Sequence, residues 1–482
     1  MAESQTNLAW EALLDLSGTR PGPLPNRLAE AVRVAIRAGR LPLGSALPPS
    51  RVLSAELRVS RWTVTQAYSQ LISEGFLAGR TGSATRVSWS PEPDERRPTG
   101  SGHFPGAPRA HAQAARYDFA QCTPDFRAFP RRKWVQAIRV VTETVPFDQL
   151  GYAPAGGEPR LRTVLAEHLN RRRATAVDPT LLTICTGARQ GMAALCRSLA
   201  AQGHRRIAVE DPGSSGILDP ARAAGLEPVP LPIDDDGVIP EALAGFPDVR
   251  VVSVTPAHQA VNGSVLSEAR RRWLVEWAAR VDGLVIEDDY DSEFVYEGVS
   301  PPAMQGLDPR RVALLGSMSR TMTPTVNVGW AAVPARWAAA VRTELQMTTA
   351  APALNQLALA QFIESGAYDR HLRTSRQRFR ARRDALLAAL DEQLPGIRIR
   401  GLRSGLHLLV DLPPGADAER IIAAGTRRGV SICDMNLLRL TGEPNREQLL
   451  VGYANLDDRV VDEGVRVLVE LVHESMAGSK QG

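Results

Sequence analysis

Residues 50–88 read SRVLSAELRVSRWTVTQAYSQLISEGFLAGRTGSATRVS, and the spacing of their apolar side chains sets the fold of the N-terminal part of the chain. Ser60 stands where a hydroxyl can cap a helix over 61–74. Val64, Ala67, Tyr68, Leu71 and Ile72 then recur at the spacing of a helix buried along one stripe. Gly75 closes it. Upstream, Ser50 is expected to cap a short helix over 50–57. Downstream, Phe76-Leu77, the turn Arg80-Thr-Gly-Ser83 and Thr85-Arg-Val87 predict a two-stranded hairpin. A further helix is expected over 24–38, where Leu24, Leu28, Ala31, Val32, Val34, Ala35 and Ile36 lie near helical spacing before Gly39. The order is helix, helix-turn-helix, wing.

Charge agrees with that order. Residues 1–88 carry ten arginines against six acids, so the whole formal charge of +4 resides there and the rest of the chain sums to zero. A basic module on a neutral body suits a nucleic-acid partner met at one end only. Segment 24–88 resembles the GntR-type winged helix-turn-helix. The matching residues include Leu47-Pro48, Ser50-Arg51, Ala55-Glu56-Leu57, Val59-Ser60-Arg61, Thr63-Val64, Ala67-Tyr68, Glu74-Gly75-Phe76-Leu77 and Thr81-Gly82-Ser83. The resemblance implies double-stranded operator DNA as partner, with the start of the second helix in the major groove. Arg61, Trp62 and Thr65 would face the bases, with Ser60 and Thr63 near the DNA backbone. Arg51 would reach a phosphate, and Arg80 and Ser83 of the wing would follow the sugar-phosphate edge. Trp62 departs from the small polar residue usual at its position.

Residues 89–116 hold five prolines and three glycines without apolar periodicity, which predicts a linker between a DNA-binding domain (1–88) and a body (117–482). In the body, β-branched runs at 182–185, 206–209, 249–254, 283–287 and 311–315 alternate with amphipathic helices. That alternation predicts a largely parallel sheet covered on both faces. Pro395–Arg400, Leu406–Leu412 and a helix over 417–428 suggest a smaller α+β subdomain at the end.

Residues 316–330, GSMSRTMTPTVNVGW, carry the chemistry of the body. With Gly151-Tyr152, Glu210-Asp211-Pro212-Gly213, His258-Gln259, Glu287–Phe294, Ser404–His407 and Gly452–Ala454, they resemble the effector domain of MocR/GabR-type regulators, an α/β fold-type-I aminotransferase-like body. The resemblance implies pyridoxal phosphate (PLP) as cofactor. It puts Asp288 at the pyridine nitrogen, Tyr290 at the phenolic oxygen, and Ser317 and Ser319 at the phosphate. It puts Arg320 where the family's lysine forms a Schiff base. It also places Asn327 for a phosphate-binding arginine, Ser214 for a ring-stacking aromatic, Ala188-Arg189 for phosphate-turn donors, and Leu437 for a substrate-carboxylate arginine that Arg439 would replace.

A lysine amine, with a reference pKa of about 10.4, can be deprotonated by burial, whereas guanidinium, at about 12.5 or above, stays charged and delocalised. The chain has two lysines, Lys133 and Lys480, against 55 arginines. PLP therefore enters by family resemblance only, with covalent attachment not expected. Arg320 is expected to pair with Asp288 or to meet a phosphate-like anion. The expected function is a sequence-specific DNA-binding regulator, homodimeric by resemblance. Its body would be a degenerate aminotransferase that senses a small-molecule effector. The rival reading is a PLP-binding regulator or aminotransferase holding its cofactor non-covalently. The scattered cysteines and eight histidines show no metal-ligand spacing. No apolar run reaches the ~18 residues of a membrane span and no signal peptide is apparent, so the expected location is the cytoplasm.

Overall fold

The chain is represented by a computed structural model that describes residues 10–14, 22–79, 84–89, 115–120, 123–401, 403–442 and 445–478. It divides into two compact units, Met1–Pro108 and Arg109–Gly482. Most of the expected linker, with Arg80, Ser83, Cys122 and Lys480, lies outside the described residues.

The first unit contains α1 (Trp10–Leu13), α2 (Leu24–Arg37), α3 (Ser50–Glu56), α4 (Arg61–Ser73), β1 (Leu77–Ala78) and β2 (Arg86–Val87). The two strands pair antiparallel, Leu77 opposite Val87. Leu28, Val32 and Ile36 of α2 close over Leu53 of α3 and Val64, Ala67, Tyr68 and Leu71 of α4. Ile72 was expected in that stripe but is 41% exposed. It falls at the stripe's edge, where the stripe has drifted round the helix. Ser50 also departs from expectation. Pro49 occupies the N-cap position without a side-chain bond, and Ser50 is the first helical residue. Pro49's fixed φ already sets the entry angle of the chain.

The second unit is built on an eight-stranded sheet. Its elements begin with β3 (Tyr117–Phe119), α5 (Arg131–Thr144), α6 (Pro159–Arg173), β4 (Leu182–Cys185), α7 (Ala188–Ala201), β5 (Arg206–Asp211), α8 (Ser215–Ala223), β6 (Glu227–Asp234) and β7 (Gly237–Val238). They continue with β8 (Val251–Val254), α9 (Glu268–Arg280), β9 (Leu284–Asp289), β10 (Val312–Ser317), β11 (Gly329–Ala332), α10 (Ala335–Gln346), α11 (Ala353–Glu364) and α12 (Ala367–Gln393). Last come β12 (Ile399–Arg400), β13 (His407–Asp411), α13 (Ala418–Arg427), β14 (Val430–Ile432), β15 (Gln448–Gly452) and α14 (Val461–Gly478).

The sheet order is β4-β11-β10-β9-β8-β5-β6-β7. β6, β5, β8, β9 and β10 run parallel, and β11 is antiparallel to both its neighbours. The central strands are apolar on both faces because each face has its own core. Leu284 and Ile286 meet α7 and α10 on one side, and Val285 meets Leu274 and Trp277 of α9 on the other. β12, β13 and β15 form the small antiparallel sheet of the terminal subdomain, and β14 pairs with β3. Among the described residues, no helix is long and apolar enough to cross a membrane.

Candidate functional site

In an open α/β sheet, ligands collect beyond the carboxyl ends of the parallel strands. Here those ends bring together Glu210 and Asp211 of β5, Thr255 after β8, Asp288, Asp289 and Tyr290 at β9, and Ser317 at β10 with Arg320 in the turn that follows. Asp288 is pushed up to about 7, first by burial and then by the neighbouring Asp289 charge, while the Arg320 guanidinium pulls it back down. Pairing with Asp288 is one of the two roles expected of Arg320, the other being contact with a phosphate-like anion. Ser317 Oγ lies 2.8 Å from Ser319 Oγ and accepts from Ser319 N at 3.2 Å, so the two expected phosphate residues form one turn. That turn faces Gly187 at the start of α7, where an added Cβ would come within 3.8 Å of Ser317 Oγ.

The other resemblance positions have local employment. Ser214 caps α8 through Gly216 N at 3.2 Å. Asn327 takes a left-handed φ of 56° at the end of a short 3-10 turn. Arg189 points to Asp219 at 2.7 Å on the surface. Leu437 is 71% exposed.

Three buried networks support this cleft. His258 Nδ1 lies within reach of both Tyr290 Oη, at 2.8 Å, and Asp291 Oδ2, at 2.9 Å. Its ring stands 5.1 Å from that of His407, whose pKa is driven well below the usual histidine range by burial, then by His258 and Arg320. Gly405 and Gly263 are required here, since a Cβ on either would strike the His258 ring. Glu210 accepts from Thr255 N and Oγ1 and from Gln259 Nε2, and burial raises its carboxyl. Arg173 at the end of α6 donates Nε to Asp289 at 3.0 Å and lies 3.8 Å from Glu287, under the floor of the cleft. The sequence offers His258 only as part of the His258-Gln259 landmark and does not single out Arg173. The only available signal for Arg173 was a run of three arginines, which also reads as a solvated surface.

The DNA-facing candidates sit on the first unit. Ser60 Oγ accepts from Thr63 N at 3.1 Å, the expected cap, and lies 2.8 Å from Thr63 Oγ1. Thr63 is thereby buried against the cap. Arg51, Arg61, Trp62 and Thr65 are all exposed, Trp62 at 65%. Arg61 Nε is 3.4 Å from Ser50 Oγ, and Thr65 Oγ1 donates to Arg61 O at 2.9 Å, so one exposed face joins the starts of α3 and α4. Replacing Ser60 with alanine is expected to cost the first unit about 1 kcal/mol by orphaning the Thr63 amide. Thermal unfolding of the full chain, followed for that unit, checks it.

The profile of the aminotransferase class I and II family matches residues 126–468, and that of the bacterial regulatory proteins of the gntR family matches residues 24–87. The chain is 33% identical over 427 residues to the HTH-type pyridoxine biosynthesis transcriptional regulator PdxR of Corynebacterium glutamicum, spanning 86% of this chain and 89% of that protein. It belongs to the MocR-type regulators of the gntR family. The probable rhizopine catabolism regulatory protein MocR of Rhizobium meliloti is 31% identical over 92% of this chain and 93% of its own length. Among solved structures, the multiple substrate aminotransferase of Thermococcus profundus superposes with a TM-score of 0.69 at 23% identity, covering 76% of this chain and 93% of that one. At that identity the likeness speaks for the fold alone. This MocR-type chain is a transcriptional regulator that joins a GntR helix-turn-helix to an aminotransferase-like body.

Proposed function

We propose that this regulator has given up cofactor chemistry, and that its body serves to bind a small-molecule effector and to dimerise while the helix-turn-helix holds operator DNA. The carrying observation is Arg320. It lies in the turn after β10, with its charge on Asp288, at the position where the family resemblance asks for an amine. Lys133 offers no substitute. It is exposed on α5, donates to Gln136 at 3.1 Å, and is the one lysine among the described residues.

The fit to PLP divides by group. Asp288, Tyr290, Ser317 and Ser319 retain the side chains that a pyridine nitrogen, a phenolic oxygen and a phosphate would need. Arg320, Asn327, Ser214 and Ala188 do not supply the amine, the phosphate cation, the stacked ring or the turn donor. The residues do not fit a covalently held cofactor, and no reaction step is assigned to it. Intact-mass spectrometry after incubation with PLP and borohydride reduction tests this. No pyridoxyl adduct is expected on the folded protein, and a single stoichiometric adduct would overturn the reading.

A second reading keeps PLP as a non-covalent effector. The four retained positions favour it, as does a relative named for regulating pyridoxine biosynthesis. Equilibrium dialysis separates the two, since retention of PLP without reductive trapping supports the second. Dimerisation is supported by Phe147, Leu150 and Tyr152, which are 94%, 49% and fully exposed within six residues, an apolar patch suited to a second copy. In either reading the effector acts only by favouring one arrangement of the DNA-binding heads.

A further inference from the structure

The end of α6 and the beginning of α12 form a hollow of about 270 Å³ lined by Arg171, Arg172, Arg373, Arg376 and Asp369. Four guanidinium groups face one carboxylate. Arg171 uses that carboxylate at 3.3 Å, and Arg172 and Arg376 reach Glu293 behind the rim at 3.5 and 3.4 Å. Glu293 is held at about 2. Burial alone would raise it, but the hydrogen bond to His168, 3.1 Å away, and the two guanidiniums outweigh that effect. Its negative charge is therefore fully committed within the wall. Arg373 is exposed and lines the hollow, and among the described residues no carboxylate lies within ion-pair distance of it.

Helix electrostatics do not account for the group. A C-terminal dipole favours cations at Arg171 and Arg172, the last turn of α6, but the early turns of α12 offer Arg373 and Arg376 no such benefit. Placed three residues apart on one helix face, those two also repel each other. An arrangement that concentrates like charge in a concave hollow is stabilised when an anion neutralises it, and guanidinium forks match phosphate and carboxylate oxygens in pairs.

We propose that this hollow is a second ligand site, distinct from the cleft at the strand ends, for a small multiply charged anion such as a phosphate ester or polycarboxylate. Its concavity and volume suit a metabolite, whereas a DNA backbone would need an extended stripe. The site lies beside residues that also border the cleft. A second hollow of about 230 Å³ shares Arg172 and Arg376 and continues to Arg173, Ser292 and Glu293, the segment that follows Tyr290.

The test uses the full chain and inorganic pyrophosphate, titrated calorimetrically at constant ionic strength. Saturable binding is expected, weakened at least tenfold in Arg373→Gln and in Arg171→Gln. It should be unchanged in Arg310→Gln, an 88% exposed surface arginine elsewhere. The proposal is overturned by absent saturable binding in the wild type, or by equal losses in all three variants. It is also overturned if Arg373→Gln lowers the salt slope of DNA binding by about one, which would make the hollow a phosphate contact for DNA.

Discussion

Replacing Arg173 with methionine is expected to destabilise the second unit by about 3–5 kcal/mol, the scale of a buried ion pair broken on one side. Arg173 is 2% exposed, and it donates to Asp289, Ser300 Oγ and the Pro301 carbonyl, with Glu287 close by. Methionine fills much of the same volume, so the loss would report stranded carboxylates more than a cavity. The pH dependence separates those causes. Burial already pushes Glu287 up to about 7, with Arg173 opposing the rise. A carboxyl whose folded pKa lies above its unfolded value binds more protons when folded, so its contribution falls as pH rises through that window. Removing the guanidinium extends the window upward, and the deficit of Arg173→Met should therefore widen from pH 6 to pH 8. Denaturant midpoints at the two pH values measure this. A deficit independent of pH would mean that Arg173 matters for packing alone. Adding Asp289→Asn and Glu287→Gln should then recover nothing, where the ionic account expects partial recovery.

Much of this architecture was readable from spacing. The α4 stripe, its Ser60 cap and the central strands of the large sheet follow from local pattern, because each segment's burial agrees with its own periodicity. The departures are places where a neighbour decides. Gly283 was read as strand but closes α9 through a hydrogen bond to Ala278 O at 2.8 Å, behind Asp282 at a φ of 51°. Val249 is buried yet held in a turn by Phe246 O at 3.1 Å, so β8 begins two residues later than expected. β6 was missed because Pro228, Pro230 and Pro232 argue against a strand. The alternation places all three missing N–H groups on the side away from β5, toward an edge where only the last two residues find a partner in β7.

The cleft was legible in its residue types and not in its wiring. Asp288, Tyr290, Ser317, Ser319 and Arg320 were singled out because their order in the chain resembles a family, and the fold brings them to the strand ends. His258, His407, Glu210 and Arg173 come from a loop, two strands and a helix end far apart in sequence. No periodicity links His258 to Asp291 or α6 to β9. The same limit explains the arginine hollow. Arg171-Arg172 and Arg373–Arg376 each read as an ordinary solvated helix face, and only folding sets them against one another.

Arg61→Ala is expected to weaken binding to a DNA sequence selected by the wild-type protein by about 1–3 kcal/mol, the discrimination carried by one good base contact. The physical ground is position. Ser60 fixes the start of α4, which leaves Arg61 and Trp62 exposed at its opening turn beside Arg51 at the start of α3. An arginine on an opening turn can fork onto guanine O6 and N7 or clamp a phosphate, and the two roles give different signatures. In the first, affinity for random DNA is nearly unchanged, and selection repeated with the variant returns a site relaxed at one position. In the second, specific and random binding fall together and the salt slope drops by about one. Arg51→Ala is expected to show the second pattern and Arg61→Ala the first. Fluorescence anisotropy on selected and scrambled duplexes at several salt concentrations reads both. Were neither variant to alter affinity or slope, the face joining α3 and α4 would not be the one that meets DNA. The exposed Trp62 would then need another partner.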